Sequence, residues 1–567
     1  MTADLPDFLS QKPVPMWRRA LVLGGLALGL LILLLWSFSQ GRPVALPEAA
    51  ELRLPCVSYA PFRRPGHSPF DSALNVEPAM IEADLRLLSQ VTGCIRTYGL
   101  DHGLDAVPAI ARKVGLRVVL GAWIDGNAVT NQAQLDQALE LSRDYADVID
   151  LLVVGNEVLL RGELPPAELA GLLARARRES AVPVAYADVW EFWLRHADVL
   201  RPHVDVVAAH ALPYWEDEPV AIEQAVLHVA AVNAKIRAFF APLPVFIAET
   251  GWPAAGRQRG AAVPGRLEQA RFVRELLARQ DSALHYNLIE GFDQPWKRQL
   301  EGAMGGYWGL FAADGEQRVN LNGPVVADPV WWRLPLGALV GGAAGLLWGM
   351  GGGMLRRPKF ASARKPHGRV AIAALMLAGA GLVPLGVLQG QMLLQWSRNP
   401  LDWTFGAGVA LSAGLCALLA AGRLANLFDG WIPAGNRPGL IAVQSSKNQR
   451  SQRWLVITVA VLLGFVTLMA VGLVFDARYR PLVWPLLIAP AVLMCALAVM
   501  GDRLGAAAKL ERGLACLIAI AAGLVVWQEG LANGQALALA FTWLGLAFAV
   551  GWPQRTTPVS GASLARL

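Results

Sequence analysis

Phe246-Ile-Ala-Glu-Thr-Gly-Trp-Pro253 is an apolar run that reaches a carboxylate and then stops at glycine, tryptophan and proline. A strand covered on both faces needs continuous apolar residues. Leu243 to Ala248 supply them, and Gly251 and Pro253 end the pairing. Glu249 is thereby placed at the strand's C-terminal tip. Ile149 to Val154 repeats the pattern: apolar except for Asp150, it runs into Gly155, Asn156 and Glu157. The strands of a (β/α)8 barrel direct their C-terminal ends to one face, where such barrels place their chemistry. Two carboxylates on that face are the working parts of a glycosidase.

Six more runs complete the set: Leu54 to Tyr59, Cys94 to Tyr98, Leu116 to Trp123, Val182 to Ala187, Val204 to Ala209 and Leu284 to Ile289. Segments between them, such as Glu77 to Gln90 and Gln132 to Tyr145, carry apolar residues at helical spacing. Residues 51–330 are therefore expected to fold as an α/β TIM (β/α)8 barrel.

The remainder is a different material. With 567 residues, 54% hydrophobic content and a mean hydropathy of +0.40, the chain is too apolar to be one soluble enzyme. Ala20 to Phe38 is uncharged and long enough to cross a bilayer, so residues 20–38 read as a retained anchor. Seven further spans follow: Leu334 to Met354, Val370 to Leu394, Thr404 to Gly422, Trp454 to Phe475, Pro481 to Met500, Gly513 to Trp527 and Gln535 to Trp552. Gly513 to Trp527 is the shortest. Residues 334–552 are thus expected to form an all-α, seven-helix polytopic transmembrane domain.

Charge divides the same way. Residues 51–330 carry 26 basic and 35 acidic side chains, and the rest carries 24 and 9, so the net +6 belongs to the apolar part. That distribution removes the basis for a nucleic-acid partner. Leu355 to Arg369 holds six basic residues and no acidic one, and Arg423 to Arg453 holds five and one. The positive-inside rule places these loops, the N-terminal residues 1–19 and the tail 553–567 in the cytoplasm of a bacterial inner membrane, and the barrel outside it. Five cysteines show no C-x-x-C spacing, so no zinc or dithiol motif is indicated and no metal or cofactor is expected. Cys56 and Cys94 open the first two strands, where an oxidising compartment would allow a disulfide.

Val154-Gly-Asn-Glu157 and Glu249-Thr-Gly-Trp-Pro253 resemble the two motifs of glycoside hydrolase family 17, the β-1,3-glucanases and glucanosyltransferases. Ile95-Arg-Thr-Tyr-Gly99, His210 to Trp215, Phe292-Asp-Gln-Pro-Trp-Lys297 and Trp308-Gly-Leu-Phe311 also resemble family segments, in family order. The resemblance covers residues 54 to about 322 and implies a retaining mechanism, with Glu157 as acid/base and Glu249 as nucleophile. Asn156 is suited to a sugar hydroxyl beside the reacting carbon. Tyr98, Trp123, Trp190, Tyr214, Trp252 and Trp296 fall at or past strand tips, where rings can either pack or stack on pyranose faces. Glu290 and Lys297 match polar positions of the eighth strand segment. Asp188 and Glu191 read as solvated rim charges, and lone His210 reads as a hydrogen-bonded structural residue. The expected partners are a β-glucan donor and acceptor, the bilayer and a separate glucan synthase. The expected activity is cleavage of β-1,3-glucan with transfer to another glucan, with plain hydrolysis or non-catalytic glucan binding as the alternatives.

Overall fold

The computed structural model describes residues 14–279, 281, 283–351, 367–429, 438–502 and 509–551. Two units emerge, Pro43–Ala327 and the two flanking stretches Met1–Arg42 and Asp328–Leu567.

The first unit is a closed parallel barrel whose eight strands follow chain order. They are β1 (Cys56–Ser58), β2 (Cys94–Arg96), β3 (Arg117–Ala122), β4 (Ile149–Asn156), β5 (Val184–Val189), β6 (Val206–His210), β7 (Val245–Thr250) and β8 (Tyr286–Leu288). Every strand expected from sequence is present. Alternation sorts their residues onto two faces. Cys56, Val119, Leu151, Val153, Ala185, Ala187, Ala208 and Ala248 form a small buried cluster, as the narrow interior of a barrel requires. Val57, Ile95, Val118, Leu120, Leu152, Val184, Val207 and Ile247 join the much larger core against the surrounding helices.

Local chemistry sets the helix ends. Asn127 caps Ala128–Asp144 by accepting from Val129 N at 3.0 Å, and Pro166 at the first position of Pro166–Glu179 forfeits no hydrogen bond. The helix Val107–Val114 stops at Gly115, whose φ of +75° suits glycine. Cys56 and Cys94 are bonded across neighbouring β1 and β2.

The second unit is helical. Among the described residues, six helices are long and apolar enough to cross a membrane: Met16–Gln40, Arg369–Trp396, Pro400–Asp429, Ser451–Phe475, Lys509–Glu529 and Gly534–Gly551. Several expected spans differ from this outcome in extent: Thr404 to Gly422, for one, extends at both ends into the 30-residue helix Pro400–Asp429. Gly513 to Trp527 extends at both ends into the 21-residue helix Lys509–Glu529. Pro481 to Met500 contracts to Ile488–Val499 behind a 3-10 turn, because Pro481 and Pro485 cannot continue a helical ladder. Leu334 to Met354 contracts to Arg333–Gly349, and residues 352–354 lie outside the described ones. That helix lies close against Arg369–Trp396. A Cβ on Gly341 would sit 2.0 Å from the Gly379 carbonyl, the backbone approach that small residues allow between apolar helices. The basic residues 356–365, the termini 1–13 and 552–567, and the side chains of 438–450 lie outside the described residues, so the charge argument for orientation is carried by sequence alone.

Candidate active site

The two carboxylates expected to pair do meet. Single side-chain atoms of Glu157, His210 and Glu249 all lie within 4.8 Å of one another. Both carboxylate-bearing strands are irregular just before the site. The β4–β5 register shifts between Val153 and Asn156, and the β6–β7 register shifts between Ala209 and His210, which pairs with Glu249. In an unbroken strand Glu249 and Ala248 would face opposite sides. The bulge re-aims the carboxylate, so Ala248 can join the interior cluster while Glu249 reaches the same central space. On β4 the turn is sharper still: Gly155 has φ +86° and Glu157 has φ +54°, a conformation a side-chain-bearing residue seldom adopts.

Several contacts hold that turn. Glu157 N donates to Ala187 O at 2.8 Å, Leu159 N to the Tyr186 hydroxyl at 3.0 Å, and Arg161 reaches Asn156 O and Ile124 O. Asp188, expected as a solvated rim charge, is fully buried instead. It accepts from Tyr186 and from Val189 N, and burial raises its carboxyl above the usual range.

The electrostatics of the pair are unequal. The Glu157 side chain is 25% exposed and the Glu249 side chain 6%. Burial works against ionisation of Glu249, yet the charges of His210, Arg96 and Lys297, with a hydrogen bond from Tyr98, outweigh it and hold the carboxyl below its usual range. Arg96 is the main brace. Its guanidinium donates to Glu249 Oε1 at 2.9 Å, to Ala248 O at 2.9 Å and to Asn156 Oδ1 at 2.6 Å, so one buried fork joins β4 to β7. His210 lies between the carboxylates, with Nδ1 2.9 Å from Glu157 and Nε2 3.7 Å from Glu249. Burial lowers its basicity, but Glu249 and Glu157 together raise it above the ordinary histidine value. The same trio has the makings of a cation site, although Arg96 already supplies positive charge to Glu249.

Glu290 and Lys297 form a second buried pair, with Nζ 3.2 Å from both carboxylate oxygens. Burial pushes Glu290 up to about 7 against the pull of Lys297, and nearby Glu301 likewise to about 7. The aromatic candidates separate. Tyr98, Trp123, Trp190 and Trp296 are half-buried. Tyr98 bonds Ser58 and lies under Arg96, Trp123 lies under Arg161, and Trp190 packs against Lys235. Tyr214 and Trp252, in contrast, are 0% and 1% exposed, and their polar atoms bond the carbonyls of Arg257 and Val263. These two rings are core, with no face open to a sugar. Sequence reading passed over Arg96 and undervalued His210, though both stand inside the stretches that carry the family resemblance.

The class suggested by fold and site is matched by comparison. Residues 56–309 match the family described as the BtgE/BtgC glycoside hydrolase domain, so the barrel is similar to glycoside hydrolases of the β-1,3-glucanase type. Among curated proteins, the probable β-glucosidase btgE of Aspergillus fumigatus is 28% identical over 262 residues, covering 45% of this chain and 44% of its own length. The probable glucan endo-1,3-β-glucosidase btgC of the same species is 26% identical over 258 residues, covering 38% and 35%. The chain thus spans less than half the length of these relatives. Among solved structures, the family 17 β-1,3-glucanosyltransferase of Rhizomucor miehei aligns at 23% identity and a TM-score of 0.42, over 47% of this chain and 97% of that one.

Proposed function

We propose that the chain is a membrane-anchored retaining enzyme that cleaves β-1,3-glucan and passes the glycosyl fragment to a second glucan. The observation that carries this reading is the approach of Glu157 and Glu249 to within 4.8 Å. Retaining enzymes keep their carboxyl groups ~5 Å apart, and inverting ones leave room for a water between them. In this reading Glu249, held ionised by Arg96 and His210, attacks the anomeric carbon. Glu157, the more open carboxyl, protonates the departing oxygen. A glycosyl ester on Glu249 results, and Glu157 then takes a proton from the incoming hydroxyl as that oxygen attacks.

The Cys56–Cys94 bond agrees with an oxidising compartment, and the six long apolar helices agree with a multi-pass membrane protein. A barrel held at a membrane has more use for joining emerging chains than for releasing sugar. The names of the fungal relatives favour plain hydrolysis as the second reading. The deciding experiment gives the full chain in detergent a reduced-end laminari-oligosaccharide and follows product mass. Products longer than the donor support transfer, and their linkage identifies the bond made. Shorter products alone, at high acceptor concentration, would replace transfer by hydrolysis.

A further inference from the structure

Past the C-terminal strand ends, on the barrel face that also carries Glu157 and Glu249, an open groove runs between the loop after β1 and the segment after β8, lined by Arg64, His67, Ser68, Phe70, Trp296 and Gln299 among others. Phe70 is 71% exposed, an unusual placement for a phenylalanine in a barrel whose other phenylalanines are mostly packed. Its ring stands edge-on to Trp296, with centroids 5.7 Å apart and planes at 81°. Two aromatic rings flanked by short polar and guanidinium groups are what a pyranose needs: a C–H face to cover and hydroxyls to bind.

The groove wall is fixed in advance. Arg63 ties its start to Asp84 at 2.7 Å and to Ala313 O at 2.7 Å. His102 ties its end, with one ring nitrogen 2.8 Å from Leu74 O and the other 2.9 Å from Pro69 O. Phe70 N bonds Ser68 Oγ at 3.2 Å inside a turn that projects the ring outward. On the other wall Trp296 donates to Gln294 Oε1 at 2.8 Å, and Gln294 in turn donates to Ala60 O at 2.8 Å. A wall held this way orders a sugar at little conformational cost.

Topology says which part of a chain would lie there. In the closed order β1 to β8, the β8–β1 gap is across the ring from β4, which carries Glu157. An acid that protonates the departing oxygen must stand on the leaving-group side, so the part of the donor that stays on the enzyme extends the opposite way. Trp296 also adjoins Lys297, which touches Glu290 and whose charge acts on Glu249, so one segment walls the groove and reaches toward the site.

We infer that the Phe70–Trp296 groove binds a distal sugar of the glycone end of the donor glucan, one or more residues beyond the sugar seated on Glu249. This rests on the glucan reading above. The test measures kcat/KM of the full chain and of Phe70→Ala and Phe70→Trp on reduced-end laminari-oligosaccharides of increasing length. The loss in Phe70→Ala should grow with length, from within about twofold on the shortest donor turned over to about tenfold on the longest, and Phe70→Trp should recover most of it. Equal loss at every length, or none at any length, overturns the inference while leaving the glucan reading intact. A wild-type chain inert on every laminari-oligosaccharide would instead remove the glucan reading, and the inference with it.

Discussion

Both units bury charge, but in different ways. At the C-terminal ends of the barrel strands Arg96, Asp188, His210, Glu249, Glu290 and Asp293 are all almost fully buried. Their contacts are shared: Arg96 serves Glu249 and Asn156, and His210 faces two carboxylates. In the helical unit, among the described residues, charges close in pairs near helix ends, as Arg423 does with Asp502 and Arg398 with Asp402. Between those ends the buried residues are almost all alanine, leucine and their like. Taking an ion out of water costs several kcal/mol, so a unit that only spans keeps its charges at the edge and neutralises them. A unit that performs chemistry gathers them where reacting charge will develop. On the function proposed above, turnover belongs to the barrel and the helices support it.

The largest effect expected is that of Glu249→Ala, which should reduce turnover by about 10⁴-fold or more. Azide should restore a good part of it by filling the space of the missing carboxylate, and the product should have inverted configuration. Near-normal turnover in that variant would remove Glu249 as nucleophile. Next is Arg96→Met, which leaves Glu249 and Asn156 without their shared brace. A loss of about 10²–10³ in kcat with a smaller change in KM is expected. A KM effect alone would make Arg96 a substrate contact rather than a positioning residue.

Arg423→Ala probes the other side of the comparison. It leaves Asp502 buried without its partner, which costs about 3–5 kcal/mol, so detergent-solubilised protein should unfold several degrees earlier. The kcat/KM of the folded enzyme should hold within about twofold, since Arg423 lies in the helical unit. Lost activity without lost stability would break the division of labour argued above.

Much of the barrel was legible because a parallel strand covered on both faces reads as a nearly continuous apolar run, as Leu243 to Ala248 does and as Ile149 to Val154 does apart from Asp150. Glu157 and Glu249 were legible because each ends such a run. Arg96 and His210 were not, because a single polar residue at a strand tip has the same sequence signature whether it braces a nucleophile or satisfies a turn. Tyr214 and Trp252 occupy tip positions as Trp296 does. Their direction is decided by the loop after β7, whose carbonyls at Arg257 and Val263 draw their polar atoms inward, and no periodicity records that. In the helical unit hydropathy located the long apolar helices, and proline set the start of one shorter helix, at Ile488.

The smallest effect concerns His210 and is a slope rather than an offset. Its ring is raised above its ordinary 6.5 because Glu249 and Glu157 outweigh burial, while Glu249 is lowered below its ordinary 4.5 because His210, Arg96 and Lys297 outweigh its own burial. A group whose value is raised on folding stabilises fully below its unfolded value and loses that contribution as pH rises through the folded one. A lowered carboxyl stabilises above its unfolded value and loses the contribution as pH falls through its folded one. The two contributions are both complete between about 4.5 and 6.5. His210→Asn removes the imidazolium and part of the pull on Glu249. Its melting temperature should therefore fall furthest behind the wild type inside that window and close part of the gap as pH rises beyond it, where wild-type His210 sheds its proton. A domain of this size shifts by ~2–4 °C per kcal/mol, so differential scanning calorimetry at half-unit pH steps can resolve the trend. A gap that is constant with pH would mean that His210 contributes packing alone, and the shared-charge description of the barrel site would then rest on Arg96.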